Sequence, residues 1–349
     1  MQKPKFENYF PFDLYDFFGY LFPGLMVIVY LVFFDVFLSH ESGQHVDAIV
    51  IFVENLPWFL GLFLTIAFVL TVYVFGHLIG AIGSIVLDRI FMEGIYGYPV
   101  VWLLSLRRES HEYAEATHRY IFVASQGIIL SCIFFSDYRT FRISFLIFTA
   151  VIIAFILFRI FIRAFKSAHL GPLVSRVAGN KFVRWFLLSP SNVIIWIEDN
   201  LVKPVLGMEK PLPHQFRNVF FKLFQKVYGM DPKNKLSSEN YWLSYHYATA
   251  RNPASINLLK TWLHLYAFAR NISVATYLCL FGFVIYRFYR QLSLSWEVQL
   301  LLIVMLFVSW VFLIRYWVLH QNYHTKNVLR AFVTAATMDF PAAKEKTRS

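Results

Sequence analysis

The chain has 349 residues, of which 58% are hydrophobic and 15% are charged, and its formal net charge is +11. Soluble domains carry about 25% charged residues, so this composition excludes an ordinary water-soluble globular protein. Its two cysteines, Cys132 and Cys279, both lie in apolar runs, which excludes a disulfide-stabilised secreted scaffold.

The longest apolar run lies in the first quarter of the chain. Residues 56–87 contain no Asp, Glu, Lys or Arg over 32 positions. A helix needs about 20 apolar residues to cross the hydrocarbon core of a bilayer, so a helix of this length must tilt or project beyond it. Together with the apolar run that precedes it, this segment predicts an all-α, polytopic integral membrane protein whose first two spans lie within 17–87.

Four more apolar runs follow along the chain and predict two transmembrane hairpins, at 120–162 and 271–319. The first run of the earlier hairpin is the weakest of all, because it is short and holds several polar side chains. The six predicted spans lie at about 17–38, 57–87, 120–136, 143–162, 271–289 and 298–319. The predicted segments outside the spans are an N-terminal segment 1–16, a cytoplasmic or interfacial segment 88–119, a basic helical region 163–270 and a tail 320–349.

The distribution of Lys and Arg predicts the orientation. With six spans, 28 of the 32 Lys and Arg residues fall on the side that holds both termini. Cytoplasmic segments of membrane proteins carry an excess of these residues, so both termini are expected in the cytoplasm. The basic region lies on the same side. We therefore expect a multi-pass protein of the plasma membrane, which is the inner membrane if the cell is bacterial.

A row of small residues marks one side of the second predicted span. Gly76, Gly80, Gly83 and Ser84 recur at intervals of three, four and one, which places them on one stripe of a helix. Helices in lipid associate where small residues let their backbones approach closely. The stripe therefore predicts packing against another span or against a second copy of the chain, unless these glycines are scattered by chance.

Two polar side chains are predicted to lie inside the membrane. Among Asp, Glu, Lys, Arg and His, only His77 occurs in 56–87, and Gln126 lies in the third predicted span. Ionisable groups inside a membrane are costly and often functional. A neutral histidine can also serve as a hydrogen-bonding residue between helices, and we favour this structural role for His77 over a proton, metal or gating role.

The basic region contains one strongly amphipathic helix, at 214–228. Its apolar residues fall on one face, while Arg217, Lys222 and Lys226 occupy the rest of the surface. A basic amphipathic helix can lie on an anionic membrane surface or pack in a core, so these three residues are candidates for contact with anionic lipid or a partner. Basic charge beside a membrane is expected from topology alone, so we expect no nucleic-acid binding.

Two histidines four residues apart, His320 and His324, are weak candidates for a metal site. Residues at this spacing share a helix face and can bind one ion together. No Asp, Glu or Cys lies close to them in sequence to complete the ligand set. We therefore expect no metal and no cofactor.

The sequence contains none of the common nucleotide-binding or hydrolase motifs, so no catalytic residue is assigned. The leading hypothesis is a non-enzymatic membrane scaffold, sensor or effector that oligomerises or binds a membrane partner, with altered membrane permeability as a specific version. One alternative is a membrane enzyme that acts on a lipid or lipid-linked substrate and would use His77, His214, His246, Glu198 or Asp199. The other alternative is a transporter.

Overall fold

In the structure, a computed structural model, every element that is described is helical. The structure describes residues 17–38, 57–89, 99–105, 112–167, 211–231 and 237–341. The helices are α1 (Phe22–Leu38), α2 (Trp58–Gly83), α3 (Pro99–Leu103), α4 (Glu112–Phe134), α5 (Tyr138–Ser167), α6 (His214–Tyr228), α7 (Ser237–Arg251), α8 (Pro253–Arg290), α9 (Trp296–Val318) and α10 (Lys326–Asp339). Two π-helical segments, Phe17–Leu21 and Leu319–Thr325, precede α1 and α10, and a third, over residues 84–89, follows α2. The predicted all-α class is confirmed for the described residues.

Four helical stretches among the described residues are long and apolar enough to cross a membrane. They are Phe17–Phe34, Trp58–Arg89, Ser255–Arg290 and Trp296–Asp339. The third predicted span corresponds to Ile121–Phe134, an apolar helix shorter than the usual span. The predicted fourth span lies within α5 (Tyr138–Ser167). The sequence and the structure agree on a membrane protein, and the number of six spans stays a prediction.

The chain divides into two compact units. Unit 1 comprises Met1–Val86, Gly127–Leu146 and Ala267–Tyr316, and unit 2 comprises Leu87–Gln126, Ile147–Tyr266 and Trp317–Ser349. Unit 1 therefore holds α1, α2 and the apolar parts of α8 and α9. Unit 2 holds α3, α6, α7 and α10.

In unit 1, α1 and α2 pack at backbone-to-backbone distance. A Cβ atom added to Gly24 would overlap the carbonyl group of Val72, and one added to Gly76 would overlap the carbonyl group of Tyr20. Only glycine permits this approach, because any side chain would occupy the space that the neighbouring backbone fills. The two helices are therefore joined through a pair of glycines, one from each.

Polar side chains of α8 connect the helices of unit 1. The Asn271 amide nitrogen donates to the Gly19 carbonyl oxygen at 2.7 Å. Ser273 and Ser309 each donate from the hydroxyl to the other residue's carbonyl oxygen, at 2.9 and 3.1 Å. All three side chains are buried. Such bonds are worth about 0.6–2 kcal/mol each inside a membrane, so they stabilise the bundle modestly.

A single arginine closes one end of unit 1. Arg287 is fully buried, and its Nε donates to the Leu292 carbonyl oxygen at 3.0 Å. Its Nη2 donates to the carbonyl oxygens of Phe135 and Ser136 at 2.6 and 2.8 Å, and its Nη1 donates to that of Cys132. The last carbonyl groups of a helix have no intrahelical partner and carry partial negative charge, so a cation at this position caps α4.

Further contacts join the same two chain segments. The Arg287 guanidinium lies 4.4 Å from the centre of the buried Phe141 ring. The Leu294 backbone N–H donates to Ser136 at 3.2 Å, and the Tyr138 hydroxyl donates to the Phe288 carbonyl oxygen at 3.1 Å. The turn after α4 and the turn after α8 are thus held together by side chain and backbone alike.

Unit 2 has an aromatic core between α6, α7 and α10. Phe220 and Phe224 of α6 lie 5.3 and 5.8 Å from Phe332 of α10, measured between ring centres, and all three are fully buried. The apolar face of the amphipathic helix therefore packs in a protein core. Helix α6 ends at Gly229, whose φ of 66° is the left-handed conformation that favours glycine.

The ends of α7 and α10 are joined by a small polar cluster. The Tyr247 hydroxyl donates to Asp339 Oδ2 at 2.5 Å, and Arg251 Nε lies 3.3 Å from the same oxygen. Burial, followed by the hydrogen bond to the Asp339 carboxylate, raises the pKa of Tyr247 to about 12. The phenol is therefore held in its neutral, donating form.

We expect this bond to stabilise the protein up to about pH 10 and to be lost between pH 10 and about 12. The unfolded phenol ionises near its ordinary pKa of 10.0 and the folded one near 12, so unfolding releases a proton in this interval and stability falls as pH rises. Thermal unfolding of the solubilised protein between pH 9 and 11.5 measures the effect. Tyr247→Phe should show a smaller alkaline decrease than the native chain, and equal decreases in both would contradict the assignment.

A buried histidine–tyrosine cluster as the candidate functional site

The two histidines of the metal hypothesis lie in the π-helical segment Leu319–Thr325. A π-helical turn inserts an extra residue into the helical repeat, and such turns occur frequently at functional sites. Both rings point into unit 2, where His324 is fully buried and His320 is 8% exposed. We define these two residues with Tyr241, Tyr266 and Thr325 as the histidine–tyrosine cluster.

Hydrogen bonds fix both imidazoles. His324 Nδ1 lies 2.6 Å from the Tyr241 hydroxyl. His320 Nδ1 lies 3.1 Å from Thr325 Oγ1, whose own proton goes to the His320 carbonyl oxygen at 2.8 Å. The threonine hydroxyl has only one proton, and that proton is already used in the bond to the carbonyl oxygen. His320 Nδ1 must therefore be the donor in its bond to Thr325 Oγ1.

Aromatic rings surround the pair. Tyr266 stacks on His320 with ring centres 4.7 Å apart, and its ring meets that of His324 at 5.2 Å in an edge-on arrangement. The two histidine rings are perpendicular and their centres are 6.2 Å apart. A charged imidazolium is costly where it is buried, so this environment favours the neutral form of the fully buried His324.

One nitrogen of the cluster is left over. His324 Nε2 is buried and has no hydrogen-bond partner, and the same holds for the nearby indole nitrogen of Trp262, whose ring stacks on Tyr323 at 4.6 Å. Chemically, the neutral Tyr241–His324 pair shares one proton in its short hydrogen bond, while Nε2 can make one further bond. Among the described residues, no third His, Cys, Asp or Glu joins the two histidines. The described part of the chain therefore offers an incomplete ligand set for zinc, which takes about four ligands.

The glycine stripe and His77 lie in unit 1. Gly76, Gly80 and Gly83 are buried and Ser84 is half-buried. His77 is exposed, with its ring stacked on Tyr20 at 3.8 Å and in edge-on contact with Tyr73 at 4.5 Å.

The remaining predicted residues, Gln126, Arg217, Lys222 and Lys226, do not belong to the histidine–tyrosine cluster. Gln126 is half-buried on α4. On α6, Lys222 and Lys226 are exposed, and the Lys226 ammonium lies 4.7 Å from the centre of the Phe340 ring. Arg217 is half-buried, and its Nε is buried without a hydrogen-bond partner.

Besides His77, the enzyme hypothesis used four other positions, of which two lie in the described part of the chain. His214 is exposed and lies 3.2 Å from Asn218, and His246 is exposed with its ring 6.1 Å from that of Trp242. Glu198 and Asp199 lie outside the described residues.

Sequence reasoning missed the aromatic partners of the histidines and the role of Arg287. Tyr241 is 83 positions away from His324, so no local pattern links them. Arg287 lies near the end of the fifth predicted span, and no local pattern there points to the carbonyl groups that it binds.

Comparison with protein-family models, with curated proteins and with solved structures gives no match to this chain, so its function is argued from its own residues.

Proposed function

We propose that this chain is a non-enzymatic membrane scaffold, sensor or effector that works by assembling with a second copy or with a partner protein in the membrane. The observation that carries the proposal is the uneven packing of α2. Its C-terminal half packs against α1, whereas its N-terminal half is exposed on nearly all sides. Within the Trp58–Arg89 stretch, only 11% of the most apolar window is buried inside the chain.

The exposed half of α2 is large and apolar. Trp58 is 82% exposed and Phe63 is 67% exposed, and most residues between them share this character. Large apolar patches that a chain leaves uncovered mark interaction surfaces or lipid contact. In the middle of this surface lies Gly61, where an added Cβ would meet open space, so a neighbouring helix can approach closely.

The polar side chains inside unit 1 support a structural role over transport. Asn271, Ser273 and Ser309 all bond to neighbouring backbone groups. Side chains used in this way hold helices together and are not available to a solute. Altered permeability would therefore require several copies around a shared opening. Assembly is thus the first step whether the protein acts as a scaffold or sensor or as an effector that alters permeability.

The proposed topology has six spans, both termini in the cytoplasm and a location in the plasma membrane. The Lys and Arg distribution supports it, together with helices α4 and α5, which cover the third and fourth predicted spans. The exposed Lys222 and Lys226 of α6 would then face the inner leaflet or an acidic partner.

Cysteine cross-linking in native membranes tests the assembly. Leu62→Cys places a thiol on the exposed half of α2, and both native cysteines are buried, so the introduced thiol is the accessible one. We expect oxidation to give a cross-linked dimer or a cross-link to one partner.

Phe307→Cys is the matched control, because Phe307 is 64% exposed on α9. It should cross-link far less if α2 forms the specific contact. Equal cross-linking at both positions indicates random collision, and no cross-linking at position 62 contradicts the proposed surface.

A further inference from the structure

An apolar groove runs between α1, α2 and α8 in unit 1. Its volume is about 580 Å³, within the roughly 300–1,000 Å³ range of small-molecule sites. Its lining includes Leu31 and Phe34 of α1, Ile79 of α2, and Gly282 and Phe283 of α8. All these residues belong to stretches that are apolar enough to cross a membrane. The medium around the groove is therefore lipid.

The floor of the groove is closed and its rim is open. Phe34 and Phe283 are buried and stack with ring centres 4.7 Å apart, while Leu31 at the rim is 55% exposed. An added Cβ on Gly282 would meet nothing within 4 Å. An empty apolar groove loses dispersion contacts and water is not stable in it, so hydrocarbon is the favoured occupant.

The polar end of the groove identifies the kind of hydrocarbon. Tyr286 lines this end, and the Arg290 guanidinium lies 5.9 Å from the centre of its ring. Arg290 is exposed in the last turn of α8. The neighbouring Arg287 donates to backbone carbonyl oxygens, so Arg290 is the guanidinium that an anionic group can reach. Arginine pairs well with phosphate.

The length of the groove is close to the thickness of one leaflet of the bilayer. Leu278 lines the groove twelve positions before Arg290, and twelve residues of helix measure about 18 Å. Half of the hydrocarbon core is about 15 Å thick. An acyl chain can therefore follow α8 from Arg290 past Gly282 to Leu278.

We propose that this groove binds one anionic glycerophospholipid, with an acyl chain between α1, α2 and α8 and its phosphate at Arg290. This site is independent of the assembly surface on α2 and of the basic helix α6.

Lipid retention by the full-length protein tests the proposal. The protein is purified in mild detergent and incubated with phosphatidylglycerol or phosphatidylcholine, and bound lipid is counted by native mass spectrometry. We expect one phosphatidylglycerol to be retained in preference to phosphatidylcholine. Arg290→Gln should reduce that preference about five-fold, the effect of one basic side chain near an anionic lipid.

Gly282→Phe fills the groove and should abolish retention. Val304→Phe is the control, since it adds the same ring at a 50% exposed position of α9, which does not line the groove, and it should retain lipid. Leu31→Trp fills the groove from α1 and replaces Gly282→Phe if that variant does not fold. Equal retention by the native chain and by either groove-filling variant overturns the site, as does a protein dimer in place of the bound lipid. Equal binding of both lipids overturns the role of Arg290.

Discussion

Replacing Arg287 with Met is expected to lower the free energy of unfolding by roughly 3–5 kcal/mol, the largest effect of any single side chain in unit 1. The guanidinium donates to carbonyl oxygens of Leu292, Cys132, Phe135 and Ser136. Methionine has a similar length but no donor. The cost arises because the buried carbonyl oxygen of Cys132 and the part-buried carbonyl oxygens of Leu292 and Phe135 lose this donor at once, and each unsatisfied buried group costs about 1–3 kcal/mol.

The Arg287→Lys variant distinguishes the contribution of the positive charge from that of the guanidinium hydrogen bonds. Lysine keeps the positive charge at the end of α4, but its single nitrogen cannot reach acceptors on both sides as the guanidinium fork does. We expect this variant to recover less than half of the loss. If lysine restored full stability, the contribution of Arg287 would be helix-end electrostatics alone.

Reversible unfolding in increasing sodium dodecyl sulfate, combined with size-exclusion profiles, provides the measurement. Arg142→Met is the matched control, because Arg142 is exposed in the first turns of α5, where a positive charge is not favoured. Its stability should be within about 0.5 kcal/mol of the native protein. A comparably small loss for Arg287→Met would show that its hydrogen bonds contribute little.

Gly76→Ala is expected to lower stability by about 1–3 kcal/mol, because the new methyl group would collide with the carbonyl group of Tyr20. A backbone group cannot move aside as a side chain can, so α1 and α2 must separate. Separation also loosens the contact of Gly24 with Val72 in the same interface.

The other glycines of α2 provide a graded comparison. An added Cβ on Gly80 would come within 2.9 Å of the Tyr20 ring, and one on Gly83 within 3.3 Å of the Asn271 side chain. Both neighbours are side chains that can adjust, so alanine at these positions should cost less than at Gly76. Gly61→Ala meets open space and should be neutral or stabilising by up to about 1 kcal/mol, since alanine favours helix.

Thermal unfolding and the yield of monodisperse protein rank the series. The expected order of stability loss is Gly76 first, then Gly80, then Gly83, with Gly61 last. A loss at Gly61 as large as that at Gly76 would indicate a general effect of glycine replacement in α2, and would contradict the close approach of α1 and α2.

The elements with local signals could be predicted from the order of the amino acids alone. A run of 32 residues without Asp, Glu, Lys or Arg predicts a membrane helix, and the structure contains α2 there, in a stretch long and apolar enough to cross a membrane. The apolar period over 214–228 coincides with helix α6, His214–Tyr228. Both predictions depend on residues within one or two turns of each other, and hydropathy and helical periodicity report those directly.

Tertiary structure decided the neighbours of each helix and therefore the candidate site. The glycine spacing indicated a packing stripe on α2, but only the fold shows that Gly76 meets the backbone at Tyr20. Likewise, the spacing of His320 and His324 indicated a shared helix face, while the π-helical segment sets their rings perpendicular and brings Tyr241 to His324.

Arg287 shows the physical reason most clearly. Its sequence neighbourhood points to no partner, whereas in the fold it is buried against carbonyl groups more than 150 positions away. Every residue has a backbone carbonyl group, so the sequence does not show which residue will accept a hydrogen bond from a side chain. Which carbonyl groups are left unpaired at one place depends on where helices end in space, and that is settled only when the chain has folded.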